Sequence, residues 1–362
     1  MSATFHSLRV HSMTPDTAEA VIVSFDVPES LRSVFGFTQG QYLTLRTELD
    51  GQEMRRSYSI CAGIDDGELR VGVRKVRGGA FSNWIHASLQ PGHTLDVMAP
   101  QGRFFVAIDP LAHHRHVAIA GGSGITPILS IIKTVLAREP HSSFTLVYSN
   151  RTPASTMFKE ELDDLKNRYM GRLSVHHVFT QEQQGDAPLF SGRIDQQKLG
   201  VFLRTLFMPE GIDHVFVCGP FQMNDEAEAA LLAAGVPEER IHIERFAVSQ
   251  QGMGSADAVA HDAKEGDAEK ARVVIILDGV SREIEFIKGQ PSILDCATAA
   301  GLEVPFSCTS GVCGTCRAKL VEGEVRMERN YALDKRDVAA GFVLACQSHP
   351  LTDRVVLSFD ER

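Results

Sequence analysis

The sequence predicts three folded units in series: an antiparallel β-barrel over residues 1–103, an α/β domain with a parallel sheet over 104–248, and a small α+β domain over 272–362. Three observations predict them. Short alternating runs of polar and apolar residues, broken by Gly, Pro and Asp-Gly turns, fill the first segment. β-branched runs then alternate with helical stretches, the pattern of βαβ units. Residues 249–271 are small, polar and acidic, a composition that cannot bury a core, so they read as a flexible linker ahead of a third unit.

In chain order, Val21–Val27, Tyr42–Arg46, Leu69–Val76 and Thr94–Met98 are the barrel strands, with one helix after Gly78-Gly79 beginning near Phe81-Ser82. In the second unit, His116–Ala120 is a buried-strand candidate, followed by a Gly-rich turn and a helix from Pro127 to about Arg138. A strand (Phe144–Tyr148), a helix (Met157–Arg168), a strand (Leu173–Phe179) and a helix around 195–207 come next. The strand His214–Cys218 and a helix around 221–234 close the unit. The third unit opens with a hairpin around Asp278-Gly279. A helix follows that starts at the capping-type run Ser292–Asp295 and stops at Gly301.

Composition narrows the function. The net charge of −10 is spread along the chain, and no segment offers the basic face that nucleic acid or anionic lipid requires. Nowhere is there an apolar run of about 18 residues that would span a membrane. The first residues lack the apolar core of a secretion signal, so a cytoplasmic location is expected. Seven cysteines in such a chain point to metal or redox chemistry rather than to a disulfide framework.

The cysteine positions sharpen this. Cys308-x4-Cys313-x2-Cys316 with a distant Cys346 is the plant-type [2Fe–2S] spacing. Thiolates converging on a small cluster need a tightly curled loop, and Gly311 and Gly314 lie inside this one. The plainer alternative is a structural zinc site, although zinc sites more often use two paired C-x2-C elements. Cys296 falls within the predicted helix and reads as a packed thiol.

Two further segments carry candidate chemistry. Arg56-Ser57-Tyr58-Ser59 lies in a barrel strand, where it could be ordinary. Gly78-Gly79-Ala80-Phe81-Ser82 follows at a helix start, where free N–H groups and the helix dipole favour phosphate. Gly121-Gly122-Ser123-Gly124-Ile125-Thr126-Pro127 links a buried strand to a helix, the place where an open α/β sheet binds dinucleotide phosphates. Cys218-Gly219-Pro220 ends a later strand at the same sheet edge. Arg151 follows the second strand, where Arg suits a 2′-phosphate and an acidic residue suits a ribose hydroxyl; its plain reading is a solvated loop charge. His113, His114 and His116 read as a surface loop without metal partners.

The order R-x-Y-S, G-x-x-S, G-G-S-G-I-T-P, C-G-P and then a plant-type cysteine loop resembles the ferredoxin–NADP reductase superfamily with a fused ferredoxin. The resemblance extends to Thr4–Leu8, Gly192–Asp195, Ile241–Phe246 and Ala339–Gln347. It implies a flavin-binding β-barrel, a nucleotide-binding parallel-sheet domain and a β-grasp ferredoxin domain. By the same resemblance, Arg56 contacts the pyrophosphate of FAD, Tyr58 stacks on the isoalloxazine and Ser59 sits near N5. Gly79 and Ser82 hold the pyrophosphate. Gly121, Gly122, Gly124 and Thr126 bind the nicotinamide nucleotide, with Cys218 and Gly219 near its ring and Phe246 over the other flavin face. Ser59, Thr126 and Cys218 are the expected catalytic residues, and Cys308, Cys313, Cys316 and Cys346 the expected iron ligands. Gln39-Gly40-Gln41 departs from the usual Pro-Gly-Gln, and Thr309 from the usual basic residue of the cluster loop.

The implied activity is electron transfer from NADPH, or NADH, through FAD and a [2Fe–2S] cluster to an oxygenase component, with a di-iron oxygenase favoured. The linker would let the ferredoxin domain travel between flavin and partner. A plant-type cluster, at about −400 mV, is reducing enough for that task. A Rieske-type oxygenase is the alternative partner. A redox sensor without turnover is the alternative from another class, against which the intact Ser59, Thr126 and Cys218 speak.

Overall fold

A computed structural model describes residues 4–182, 188–246 and 261–361. In the first unit β1 (Phe5–Thr17), β2 (Ala20–Asp26), β3 (Tyr42–Leu49), β4 (Gln52–Ser59), β5 (Leu69–Arg74) and β6 (Thr94–Met98) pair as one sheet in the order β4-β3-β6-β1-β2-β5. An antiparallel bridge between Ile60 and Val71 joins the two edges, so the sheet closes into a barrel. Alternation along the strands sends Leu8, Val10, Leu43, Leu45, Val71 and Val73 inward, all without exposed surface. Helix α1 (Ala80–Ser88) adds Phe81 and Ile85 to that core. The turn at Gln39-Gly40-Gln41 forms without proline: Gln41 Oε1 accepts the Thr38 N–H at 2.9 Å, and Gln39 Nε2 donates to the Val106 carbonyl at 2.8 Å.

The second unit runs β7 (Arg115–Gly121), α2 (Ile125–Arg138), β8 (Ser143–Asn150), α3 (Lys159–Arg168), β9 (Leu173–Phe179), α4 (Gln196–Thr205), β10 (His214–Gly219), α5 (Phe221–Ala233) and β11 (Ile241–Arg245). Its strands are parallel, in the order β11-β10-β7-β8-β9. The chain moves from β7 to β8 on one side and later returns to β10 on the other. That reversal opens a crevice at the C-terminal ends of β7 and β10. Helix α2 is buried on nearly every side because it lies between sheet and barrel, where Ser130 Oγ donates to the Ala62 carbonyl at 2.6 Å.

The third unit comprises β12 (Lys270–Leu277), β13 (Val280–Ile287), α6 (Ile293–Ala299), β14 (Arg317–Glu322), β15 (Val325–Met327), α7 (Lys335–Ala339), β16 (Phe342–Leu344), β17 (Ser348–Pro350) and β18 (Arg354–Ser358). A five-stranded mixed sheet, β13-β12-β18-β14-β16, packs against Ile293, Leu294 and Ala297 of α6, as in a β-grasp. The β12–β13 turn has Asp278 and Gly279 at φ 51° and 72°, the paired left-handed conformation of a type I′ hairpin. The linker assigned to 249–271 is shorter than its composition suggested. Residues 249–260 lie outside the described residues, but from His261 the chain is ordered against the domain. Arg326 holds Asp267 at 2.5 Å, Ala268 and Ala271 are buried, and Lys270 already opens β12. These small residues need no core of their own, since they join one built by later strands.

The histidines also need correction. His113 is exposed and stacks on His141 at 4.6 Å, but His116 points inward from β7 and is buried between Phe144 and Phe216. Its partner, Glu139, comes from beyond the end of α2, too far along the chain to be seen locally; His116 Nε2 lies 3.2 Å from it. Burial opposes ionisation of Glu139, yet hydrogen bonds from His116, Ser142 and the Asp109 N–H hold its carboxyl down to about 2. These bonds satisfy the carboxylate from within the protein. Burial and neighbouring imidazoles push His214 down to about 4, and burial does the same to His242. Unfolded histidines take up protons from about pH 6.5, whereas these two resist until near 4. Their contribution is therefore complete above 6.5 and is lost as pH falls toward 4. Melting temperature should drop across that interval, and the drop should be shallower in a His214→Gln/His242→Gln variant; an identical slope would show that other groups control it.

Candidate functional site

The four late cysteines form two adjacent pairs. Cys313 hydrogen-bonds Cys308, which holds Cys308 down to about 5 and, together with burial, pushes Cys313 well up. The bond from Cys346 and burial push Cys316 up likewise. Backbone N–H groups aim at sulfur: Ser310 and Cys313 donate to Cys308 Sγ at 3.5 and 3.4 Å, and Thr315 donates to Cys313 Sγ at 3.4 Å. Gly311 lets the loop curl at φ 80°, and a Cβ there would sit 3.1 Å from the Arg329 carbonyl. Two thiol pairs ringed by N–H donors suit a two-iron cluster, whereas a single zinc ion needs four ligands around one point.

The crevice of the parallel sheet is lined by bare backbone. A Cβ on Gly124 would lie 2.0 Å from the Cys218 carbonyl, and one on Gly219 would lie 3.0 Å from the Gly121 nitrogen. The G-G-S-G and C-G-P turns therefore touch, with no space for side chains between them. Thr126 is buried, its hydroxyl donating to the Ser123 carbonyl at 3.0 Å, and the Gly122 carbonyl accepts from Tyr148 at 3.0 Å. Cys218 is fully buried at the end of β10, and burial, then the nearby Glu244, push its thiol well up.

On the barrel, Arg56, Tyr58 and Ser59 occupy the end of β4. Phe81, in the first turn of α1, lies 6.1 Å from the Tyr58 ring and brings the Gly79–Ser82 segment to this strand. Ser82 Oγ accepts the Val76 N–H at 3.1 Å, fixing the loop before α1, while no side chain caps the helix at Gly79. Those free N–H groups and the half-buried Arg56 suit a pyrophosphate. Phe246 follows β11 and packs, half-buried, against the core shared with α2. Arg151 follows β8 and is paired with Glu19 of the barrel at 2.6 Å.

Five residues given no role from sequence complete the arrangement. Glu244 sits beside Cys218 in the β10–β11 register and accepts from Ser59 Oγ at 3.4 Å, so it joins the barrel to the crevice. Burial pushes its carboxyl up to about 8, against the Ser59 hydrogen bond. The signal was a lone acid in the alternating run Ile241–Arg245. Tyr42, at the start of β3, donates to the Cys313 carbonyl at 2.7 Å and meets the Thr315 hydroxyl at 2.9 Å. Ser57 donates to Ser307 at 2.9 Å, and Arg55 lies 4.0 Å over the Phe306 ring. Arg103 binds Asp337, which Arg317 also binds at 3.0 Å. The cysteine loop is thus docked on the strand that carries Arg56, Tyr58 and Ser59, and on its neighbour. Nothing local in the sequence marks these contacts.

Three family profiles match in tandem: oxidoreductase FAD-binding domain over residues 7–106, oxidoreductase NAD-binding domain over 118–229, and 2Fe-2S iron-sulfur cluster binding domain over 275–351. Fold and sites together define an oxidoreductase with flavin, pyridine-nucleotide and [2Fe–2S] modules in one chain. The chain belongs to the family of oxygenase reductase components that includes a 1,2-phenylacetyl-CoA epoxidase subunit from Escherichia coli, to which it is 43% identical over 359 residues covering 99% of both chains. It is 34% identical to the ferredoxin reductase component of 3-ketosteroid-9-alpha-monooxygenase from Rhodococcus rhodochrous, covering 97% of this chain and 96% of that one. Phthalate dioxygenase reductase shares the fold, with a TM-score of 0.57 and 24% identity over 98% of both chains. No helix among the described residues is long and apolar enough to cross a membrane.

Replacing Cys346 by Ser should empty the cluster site while leaving the flavin-binding barrel folded. Iron per chain is expected to fall close to zero while bound flavin is unchanged. Full iron content in that variant would remove Cys346 from the ligand set.

Proposed function

We propose that this chain carries electrons from NADPH through FAD and a [2Fe–2S] cluster to the oxygenase component of a multicomponent monooxygenase in the cytoplasm. The observation that carries the reading is the docking of the cysteine loop on the flavin-side strands through Tyr42, Ser57 and Arg103. The 43% identity over the full chain favours a di-iron phenylacetyl-CoA epoxidase as acceptor, and the 34% relative keeps a Rieske-type steroid oxygenase as the second reading.

The bound flavin would accept a hydride from the nicotinamide and release its electrons singly to the cluster, which matches a two-electron donor to a one-electron carrier. The residues have separable tasks. Arg56 and the N-terminus of α1, with Gly79 and Ser82, hold the FAD pyrophosphate. Tyr58 and Phe246 flank the isoalloxazine. Gly121, Gly122, Gly124, Thr126 and Gly219 let the nucleotide lie against backbone, and Arg151 selects its 2′-phosphate. Cys218 stays a neutral thiol, and Glu244 keeps a proton at neutral pH. Ser59 and Glu244 therefore present uncharged hydrogen-bonding groups where the nicotinamide and flavin rings meet. Cys308, Cys313, Cys316 and Cys346 hold the irons.

Glu244 gives this mechanism a pH signature. With its carboxyl raised to about 8, the neutral form predominates below that value and the anion above it. The rate of flavin reduction by NADPH in stopped flow should fall as pH rises through about 8, and Glu244→Gln should lose that inflection. An unaltered profile in the variant would exclude Glu244 as its source. The acceptor is tested by supplying purified oxygenases. Efficient, saturable turnover with the di-iron epoxidase and little with a Rieske oxygenase is expected; the reverse would move the assignment to the second reading.

A further inference from the structure

Glu19 occupies the turn between β1 and β2, on the barrel, yet its carboxylate lies among cations that face the nucleotide domain. Glu19 Oε2 is 2.6 Å from Arg151 Nη2 and 3.1 Å from Arg74 Nη2. These three side chains, with Thr17, Thr152, Ser155 and Gln181, line a cavity of about 260 Å³. Arg74 also reaches the phosphate-binding turn: its Nη1 stands 2.8 Å from where a Cβ on Gly122 would be. One carboxylate thus bridges two guanidinium groups, one from each domain, in a cavity beside the crevice.

We propose that Arg74 and Arg151 together form the site for the 2′-phosphate of NADPH, and that the Glu19 carboxylate is its intramolecular occupant, displaced when the phosphate arrives. The inference rests on the reading of Arg151 given above. A carboxylate bridging two forks is the nearest protein equivalent of a phosphate monoester, which presents the same acceptor geometry with more charge and a third oxygen. Hydrogen bonding to Arg74 holds the Glu19 carboxyl below its usual range, so the occupant is ionised at neutral pH. NADH, with a neutral 2′-hydroxyl, cannot replace an anion between two arginines and leaves the bridge closed. Glu19 would then set how strongly the protein prefers the phosphorylated nucleotide. Removing its charge frees both forks and strengthens phosphate binding without touching the rest of the crevice.

The test is calorimetric binding of two adenosine-end probes, 2′,5′-ADP and 5′-AMP, to the full flavin- and cluster-loaded chain. Glu19→Gln should bind 2′,5′-ADP about tenfold more tightly than the parent, and 5′-AMP equally well. Arg74→Met and Arg151→Met should each weaken 2′,5′-ADP about tenfold and spare 5′-AMP. Bound flavin verifies that each variant is folded. If Glu19→Gln leaves 2′,5′-ADP unchanged while Arg151→Met weakens it, the occupant role falls and the NADPH reading survives. If Arg151→Met has no effect either, the NADPH reading falls with it. Weaker 5′-AMP binding by Glu19→Gln would make Glu19 a ribose-hydroxyl acceptor and overturn the proposal.

Discussion

The Tyr42 hydroxyl reaches from β3 to the Cys313 carbonyl and the Thr315 hydroxyl, with its ring seated where a Cβ on Gly102 would come within 2.9 Å. Each bond adds about 1 kcal/mol, so neither could hold two domains together. Their importance is positional. Tyr42 pairs with Ser59 across β3 and β4, so the strand bearing the flavin motif and the loop bearing the cysteines are tied to one point. Ser57–Ser307 and Arg103–Asp337–Arg317 flank that point and fix the orientation. Electron tunnelling depends steeply on separation, and in the proposed function this junction would set the separation between flavin and cluster.

Three ionisable groups near it are kept neutral by burial. Cys218 is held as a thiol, Glu244 as a carboxylic acid and Tyr42 as a phenol, all with burial as the leading cause. Cationic side chains stand elsewhere: Arg56 near the uncapped helix start, and Arg74 with Arg151 beside the crevice. In the proposed function, a low-dielectric centre with cations at its edge would separate phosphate recognition from redox chemistry.

The architecture was legible because it rests on local pattern. Alternation announced β2, β3, β5 and β6 of the barrel but not β1 (Phe5–Thr17), β-branched runs between helices announced the parallel sheet, and Asp278-Gly279 announced a hairpin that forms as read. The cysteine spacing likewise carried its chemistry within a few residues. What escaped was tertiary. Glu244 gains meaning only beside Cys218 and Ser59, Tyr42 only against a loop far along the chain, and Glu19 only between arginines of two domains. His116 was misread for the same reason, since its partner Glu139 returns from the far end of α2. Residues 261–271 were misread because composition cannot show that another segment's sheet will adopt them.

The proposed function requires electrons to pass from flavin to cluster through the docked arrangement. Anaerobic stopped flow with NADPH, combined with freeze-quench EPR at several protein concentrations, tests it most directly. Flavin bleaching is expected, followed by a reduced [2Fe–2S] signal at a rate independent of protein concentration, as transfer within one docked chain requires. A cluster signal whose rate rises in proportion to protein concentration, or a bleached flavin with no cluster signal, would contradict it.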